Sequence, residues 1–287
     1  MKYAHLIASV YGRPWCITAE AGRAISAQLS AWLGGKLSGI PTPKAYWEPD
    51  EDEDEDASAQ TTGLPYTLNG STAIIPVSGI IGKRMSAFES ECGGCDLNTV
   101  ESALNHAVSN SAVSNIVLDF DTPGGTVTGV LEAANAIAKA GESKPVYGWC
   151  ETQCCSAGYW LASQCKAFVT TETAIVGSIG VYTAVMDDSE AWANEGLKQN
   201  LMKAGDFKAT GMPGIPFSDT DRKRLQAEVN QIYGLFTASV IKGRGKVSAD
   251  TMQGQTFMGM DSVGLNLTDG VASNMAEFLS AITTQPN

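Results

Sequence analysis

The chain has 287 residues, enough for one large domain with a substantial core plus an appendage. Its formal net charge of −12 argues against nucleic acid as a main partner, because phosphate binding needs a basic face. Eight acids and no base lie between residues 48 and 56, so the remainder carries only −4 and the folded part is nearly balanced.

The N-terminus, MKYAHLIASVYGRPWC, has a short apolar patch interrupted by His5 and no small-residue cleavage site, so it does not read as a secretory leader. No stretch reaches the ~18 to 20 uninterrupted apolar residues of a membrane span. The longest uncharged apolar run, Thr173 to Met186, reads as buried core. These features predict a cytoplasmic protein without a membrane partner, its seven cysteines reduced. Residues 17 to 34 read as a helix, with Ile25, Leu29, Trp32 and Leu33 on one face and Gly34-Gly35 ending it. That face needs a partner, either the main domain or another protein surface such as a second subunit. The following EPDEDEDEDAS repels itself and reads as an extended linker, with an acidic docking or metal-binding surface as the weaker alternative. The expected organisation is a helical segment over 1–47, an acidic linker over 48–62 and a main domain over 63–287.

From Thr72 short apolar strands alternate with helices. Ala73 to Val77 and Asn115 to Phe120 read as strands around a helix near 97–109, and a further helix spans Val127 to Ala140. This alternation indicates an α/β domain. The Asp121-Thr-Pro-Gly-Gly turn places two glycines between a strand and a helix, where bare N–H groups can face a ligand or simply form a tight turn. Cys92-Gly-Gly-Cys95 lacks a second ligand pair and a thioredoxin-like context, so it reads as a loop with two thiols and no metal is expected. Ser218-Asp-Thr-Asp221 reads as a variant capping box opening a helix through Leu225, Val229, Ile232, Tyr233, Phe236 and Val240 that Gly243 ends.

The stretch from Cys150 to Val181 carries the candidate chemistry. Val146 to Trp149 reads as a strand and Ala157 to Leu161 as a helix, which leaves Ser156 at the helix mouth, where N–H groups favour a developing oxyanion. The plainer reading of Ser156 is a helix N-cap. Tyr159 and Trp160 read as core. A nucleophilic serine needs a base. Both histidines, His5 and His106, precede Ser156, and His106 sits on a helical pattern as a surface or boundary residue. Lysine is the better candidate, provided burial brings its pKa down from about 10.4 to about 7 to 8. Lys208, among Phe207, Ala209, Gly211 and Met212 with Asp206 nearby, suits that need. Cys155, beside Ser156, has no histidine after it and ranks well below the serine.

Four motifs occur together in order: DTPGGTVTG (121–129), SAGYWLA (156–162), VGSIGV (176–181) and KAGDFKATG (203–211). In this the chain resembles the signal peptide peptidase A family of serine peptidases, S49, and most of all its phage branch of prohead or capsid-assembly proteases. The resemblance spans roughly residues 70 to 273. It implies a ClpP/crotonase-like α/β fold of repeated ββα units and a Ser/Lys dyad. Ser156 would be the nucleophile and Lys208, 52 residues later, the general base. Ser178 would position the lysine amine, and the N–H groups of Gly125 and Ala157 would form the oxyanion hole. No cofactor is implied. The implied substrates are scaffold, portal or other capsid proteins, and the implied assembly is a ring-like homo-oligomer in the host cytoplasm or prohead, with the dyad completed across subunits. Cys154, Cys155 and Ala157 stand where many relatives have small residues and a second glycine, which leaves the shape of the pocket open. Competing readings are a cytoplasmic peptide-degrading protease, a crotonase-like acyl-CoA enzyme, and a capsid-assembly protein that keeps the fold without the chemistry.

Overall fold

A computed structural model describes residues 14–33, 64–86, 89–90 and 93–284. The acidic stretch, His5 and Cys92 lie outside the described residues. The N-terminal part contributes a three-residue strand β1 (Trp15–Ile17) and helix α1 (Ala19–Leu33), the latter where a helix over 17–34 was expected. The main unit then runs β2 (Thr67–Asn69), β3 (Thr72–Ser78), β4 (Ile80–Gly82), β5 (Gly94–Asp96), α2 (Leu97–Ser109), β6 (Asn115–Thr122), β7 (Gly124–Thr126), α3 (Val130–Gly141), β8 (Val146–Cys155) and α4 (Ala157–Ala162). It continues through β9 (Ala167–Thr170), β10 (Ile175–Gly177), α5 (Ser189–Asn194), α6 (Asp219–Arg244), β11 (Thr256–Met258), α7 (Gly259–Ser262), β12 (Gly270–Val271) and α8 (Met275–Thr284).

The expected ββα repetition is present. In each repeat a long strand of the main sheet is followed by a short strand of a second sheet and then a helix: β3 with β4 leads on to α2, and β6 with β7 to α3. The main sheet has the order β11-β10-β8-β6-β3-β2, with β9 joined to β8 and β12 to β9. Its centre, β3, β6, β8 and β10, is parallel, and the flanking β2 and β11 are antiparallel. The small sheet has the order β1-β7-β4-β5.

Parallel central strands are covered on both faces, and β6 shows how the sequence meets that demand. Ile116, Leu118 and Phe120 enter the main core with helices α2, α3 and α4, whereas Val117 faces a second cluster with Tyr147, Trp149, Phe278, Leu279 and Ile282. Trp149 stacks on Phe278 of α8, ring centroids 5.2 Å apart. Tyr159 and Trp160 are core residues, as expected: the Tyr159 hydroxyl donates to the Leu267 carbonyl at 2.8 Å, and Trp160 stacks on Phe236 at 4.5 Å.

Three expectations need correction. The strand placed at Val146 to Trp149 continues to Cys155, because its polar Glu151-Thr152-Gln153 bulges out where β8 gains two residues over β6. Gly243 does not end its helix. The capping box at Ser218 and Asp221 is present, but α6 runs on to Arg244 with Gly245 as its C-cap, and Gly243 is small because Ser163 lies against it: a Cβ there would stand 1.9 Å from the Ser163 carbonyl oxygen. The run from Thr173 to Met186 is only half core. Ala174, Val176 and Ile179 are buried, whereas from Gly180 the chain crosses the surface, and Tyr182 and Met186 are exposed.

Candidate active site

Ser156 occupies the sharp turn between β8 and α4. Its backbone has φ 53° and ψ −116°, a region that L-residues adopt at a cost of about 1–3 kcal/mol and that clusters at functional sites. Two hydrogen bonds hold it there: its N–H donates to the Gly177 carbonyl at 2.8 Å, and its carbonyl accepts the Trp160 N–H at 2.9 Å. The side chain does not cap the helix, so the N-cap reading is set aside. Instead its Oγ is buried without a hydrogen-bond partner of ordinary geometry, and the Cys16 thiol lies beside it. A buried hydroxyl left in this way costs free energy, and in the strained turn it is held ready for a partner that a bound substrate or base can supply.

The glycine turn arrives on one side. Gly124, at φ +103°, makes the close approach: a Cβ there would stand 2.9 Å from the Ser156 Cβ and 3.1 Å from the Ala157 nitrogen. Sequence reasoning singled out Gly125 and passed over Gly124, although the paired glycines were the signal. The Gly124 N–H donates to Thr122 Oγ1 at 3.1 Å. Gly125, one residue on, lies between β4 and β1, and a Cβ there would stand 2.0 Å from the Ile81 carbonyl oxygen. Ala157 is fully buried at the start of α4. At six residues α4 sums few peptide dipoles, so what it offers an oxyanion is the local Ala157 N–H.

On the other side, Ser178 follows the Gly177 whose carbonyl receives the Ser156 N–H. Ser178 is buried at φ 52°, and its N–H donates to the Gln255 carbonyl at 2.7 Å. Lys208 is placed differently. It lies in the turn after Gly205, to whose carbonyl its N–H donates at 3.3 Å, and its side chain is exposed. Its amine makes no ion pair among the described residues, and Ser156 Oγ has no hydrogen-bond partner there. The loop is braced instead by Thr210, whose hydroxyl bonds Asp221, and by Phe207 under the Arg224 guanidinium at 5.2 Å. Thus Ser156, Ala157, Ser178 and the glycine pair share one end of the sheet, and the lysine stands apart from the serine.

The neighbouring thiols are not rival nucleophiles. Burial pushes Cys16 and Cys155 up to about 12 and raises Cys150 and Cys154 well above the ordinary thiol value, so all four are neutral near pH 7. Cys155 also donates its S–H to the Ile175 carbonyl at 3.5 Å. His106 is engaged elsewhere, its Nδ1 2.9 Å from the Tyr66 hydroxyl. Cys95 is buried on β5 with its thiol pushed up to about 12.

Sequence reasoning missed β1. It pairs antiparallel with β7, Cys16 opposite Gly125 and Ile17 opposite Gly124, and so lies across the serine. Beyond it an open cavity of about 490 Å³ is lined by Val181, Tyr182, Ala184, Phe217, Arg222 and Leu225. No described helix is long and apolar enough to cross a membrane.

A family model described as Peptidase family S49 matches residues 138–281. The chain is 31% identical over 224 residues to the capsid assembly protease C of Escherichia phage lambda, covering 77% of this chain and 50% of that protein. It is 24% identical over 291 residues to the head-tail preconnector protein GP5 of Enterobacteria phage P21, covering 99% of this chain and 58% of that protein. It therefore spans half to three-fifths of the length of these curated relatives. Among solved structures, a member of the enoyl-CoA hydratase/isomerase family matches with a TM-score of 0.41 and 14% identity over 75% of this chain and 72% of that one. The chain belongs to peptidase family S49.

Proposed function

We propose that this chain is a Ser/Lys endopeptidase that cleaves scaffold, portal or other capsid proteins during phage head maturation, in the host cytoplasm or the prohead. The observation that carries the reading is the buried, unpartnered Ser156 hydroxyl, held in a strained turn against Gly124 and the Ala157 nitrogen. In the working site neutral Lys208 takes the proton from Ser156 Oγ as that oxygen attacks a peptide carbonyl. The N–H groups of Gly125 and Ala157 receive the oxyanion, Ser178 positions the lysine amine, and the ammonium formed then protonates the leaving amine. Water releases the acyl group.

The placement of Lys208 fits a site that assembly completes. The segment around it exposes Met186, Leu197, Met202, Phe207 and Met212, an apolar set that a soluble monomer has little reason to keep in water. Packing of this segment in a homo-oligomer, ring-like by resemblance, would cover these side chains and remove water from the amine, the condition a lysine base requires. Catalytic hydrogen bonds commonly tighten only in the working complex.

Co-expression with candidate capsid, scaffold and portal proteins, read by intact mass, tests this reading. Specific fragments formed by the wild type and absent with Ser156→Ala and with Lys208→Ala are expected. Fragments that persist with Lys208→Ala overturn the dyad, and fragments that persist with Ser156→Ala overturn the nucleophile.

A further inference from the structure

We infer that residues 14–18 occupy this enzyme's substrate groove as a built-in pseudosubstrate, and that protein substrates enter as an added strand with a small residue facing Ser156 between two bulky apolar ones. The inference rests on the reading of Ser156 as nucleophile and adds how the site is closed and what it selects.

The segment is held as an added strand is held, by main-chain bonds along both edges. On one edge β1 is in antiparallel register with Gly124, Gly125 and Thr126, and the Thr18 N–H donates to the Pro123 carbonyl at 3.0 Å. On the other edge Trp15 exchanges both hydrogen bonds with Tyr182, Trp15 N–H to Tyr182 carbonyl at 2.8 Å and Tyr182 N–H to Trp15 carbonyl at 3.0 Å. The central residue meets the nucleophile. The Cys16 thiol lies beside Ser156 Oγ, and the Cys16 carbonyl oxygen is 2.2 Å from where a Cβ on Gly124 would stand, the same point that Ser156 Cβ and the Ala157 nitrogen surround. The missing side chain of Gly124 is thus the room into which the occupant's carbonyl fits.

Burial separates this segment from an ordinary edge strand. Trp15, Cys16 and Ile17 are 8%, 0% and 4% exposed, and Ser156 beneath them is 0% exposed. Neither water nor a peptide reaches the hydroxyl while the strand is in place. Tyr182 clamps the arrangement, since α1 crosses it at Gly22, where a Cβ would stand 2.1 Å from the tyrosine oxygen. The groove does not end at the segment. The cavity at Tyr182, and a further one of about 210 Å³ lined by Pro14, Thr183, Arg224 and Glu228, adjoin it and leave room where a longer polypeptide could lie.

The full-length chain tests this with a serine-reactive fluorophosphonate as probe, comparing wild type with Trp15→Pro, which removes the N–H bonded to Tyr182, and Cys16→Arg, which cannot enter the buried position. Ser156 is expected to label at least tenfold faster in both variants, with no labelling in any background carrying Ser156→Ala. A synthetic peptide copying residues 12–20 should slow labelling of the Trp15→Pro chain at least fivefold, and the same peptide with proline in place of the tryptophan should not. Equal Ser156-dependent rates in wild type and variants overturn the pseudosubstrate and leave the nucleophile standing; absence of labelling in every chain overturns both. Should both variants lose the wild-type far-UV circular dichroism, amide exchange in the unaltered chain decides. The Trp15 and Thr18 amides should exchange together, at least a hundredfold faster than those of Leu118 and Phe120, and exchange at the core rate overturns the inference.

Discussion

Thr122 and Gly158 meet with no space between them: a Cβ on the glycine would stand 2.3 Å from the threonine methyl carbon. The threonine is not free to move away. Its hydroxyl donates to the Gly79 carbonyl at 2.6 Å and accepts the Gly124 N–H at 3.1 Å, so one side chain ties the glycine turn to the serine helix. Gly158→Ala should therefore cost about 2–3 kcal/mol, as overpacking of a rigid core does. Thr122→Ser keeps the hydroxyl and removes the obstructing methyl, so the double variant should recover more than half of that loss. Urea unfolding of the four chains of the cycle measures the coupling, and additive losses would show that the two residues do not interact.

The strained turn at Ser156 predicts a trade of stability for chemistry. Ser156→Gly relieves the positive φ and removes the unpartnered hydroxyl, whereas Ser156→Ala removes only the hydroxyl. The glycine variant should be the more stable of the two by about 1 kcal/mol, and neither should cleave substrate. Thermal unfolding of the pair checks this, and a less stable glycine variant would mean that the turn is not under strain.

Asp119 gives the fold a dependence on pH. Burial, with Glu151 and Asp121 nearby, raises its carboxyl to about 6 from an ordinary 3.8. A raised folded-state value means that the folded chain holds the proton more tightly than the unfolded chain. The resulting stability is complete below about pH 4 and is lost as pH rises through about 6. Asp119→Asn should match the wild type near pH 4 and exceed it by about 3 kcal/mol at pH 7.5. Urea midpoints at the two pH values test the sign, and a constant difference would place the cause elsewhere.

Arg244 fastens the end of α6. Its guanidinium donates to Asp269 at 2.6 Å and to the Asn266 carbonyl at 3.2 Å, while Asp269 also accepts the Phe168 N–H at 2.7 Å. Arg244→Met leaves that carboxylate half-exposed with one donor fewer and should destabilise by about 1–3 kcal/mol. Asp269→Asn keeps an acceptor oxygen for the Phe168 N–H and should cost less. The reverse ranking in denaturant unfolding would contradict this account.

The parts of the fold that the sequence made legible are those written in local chemistry. The apolar runs of β3 and β6, the helix from Leu97 and the Ser218–Asp221 box each carry their signal within a few residues, and Ser156 stood out because it precedes the apolar pattern that opens a helix. What stayed hidden depends on distant partners. Trp15-Cys-Ile17 has no alternation to announce a strand, and its pairing comes from Gly124 and Gly125, far along the chain. Gly243 looks like a helix stop until Ser163 is seen against it. The second half of the Thr173 to Met186 run is apolar for a surface groove, a purpose that hydropathy cannot separate from burial in a core.

Helix α6 gives the two ends of the proposed dyad a common mechanical support. Its first turn is bonded through Asp221 to Thr210, two residues past Lys208, and near its other end Gly243 rests on Ser163, which closes the helix that begins beside Ser156. Twenty-six residues make a beam about 39 Å long. Tilting it by one degree about its seat at Gly243 swings the far end by roughly 0.6 Å, as much as separates a hydrogen bond from a missed one. A change in the angle of α6 therefore moves the Lys208 loop relative to the turn at Ser156, so a partner that packs on that loop acts through a lever.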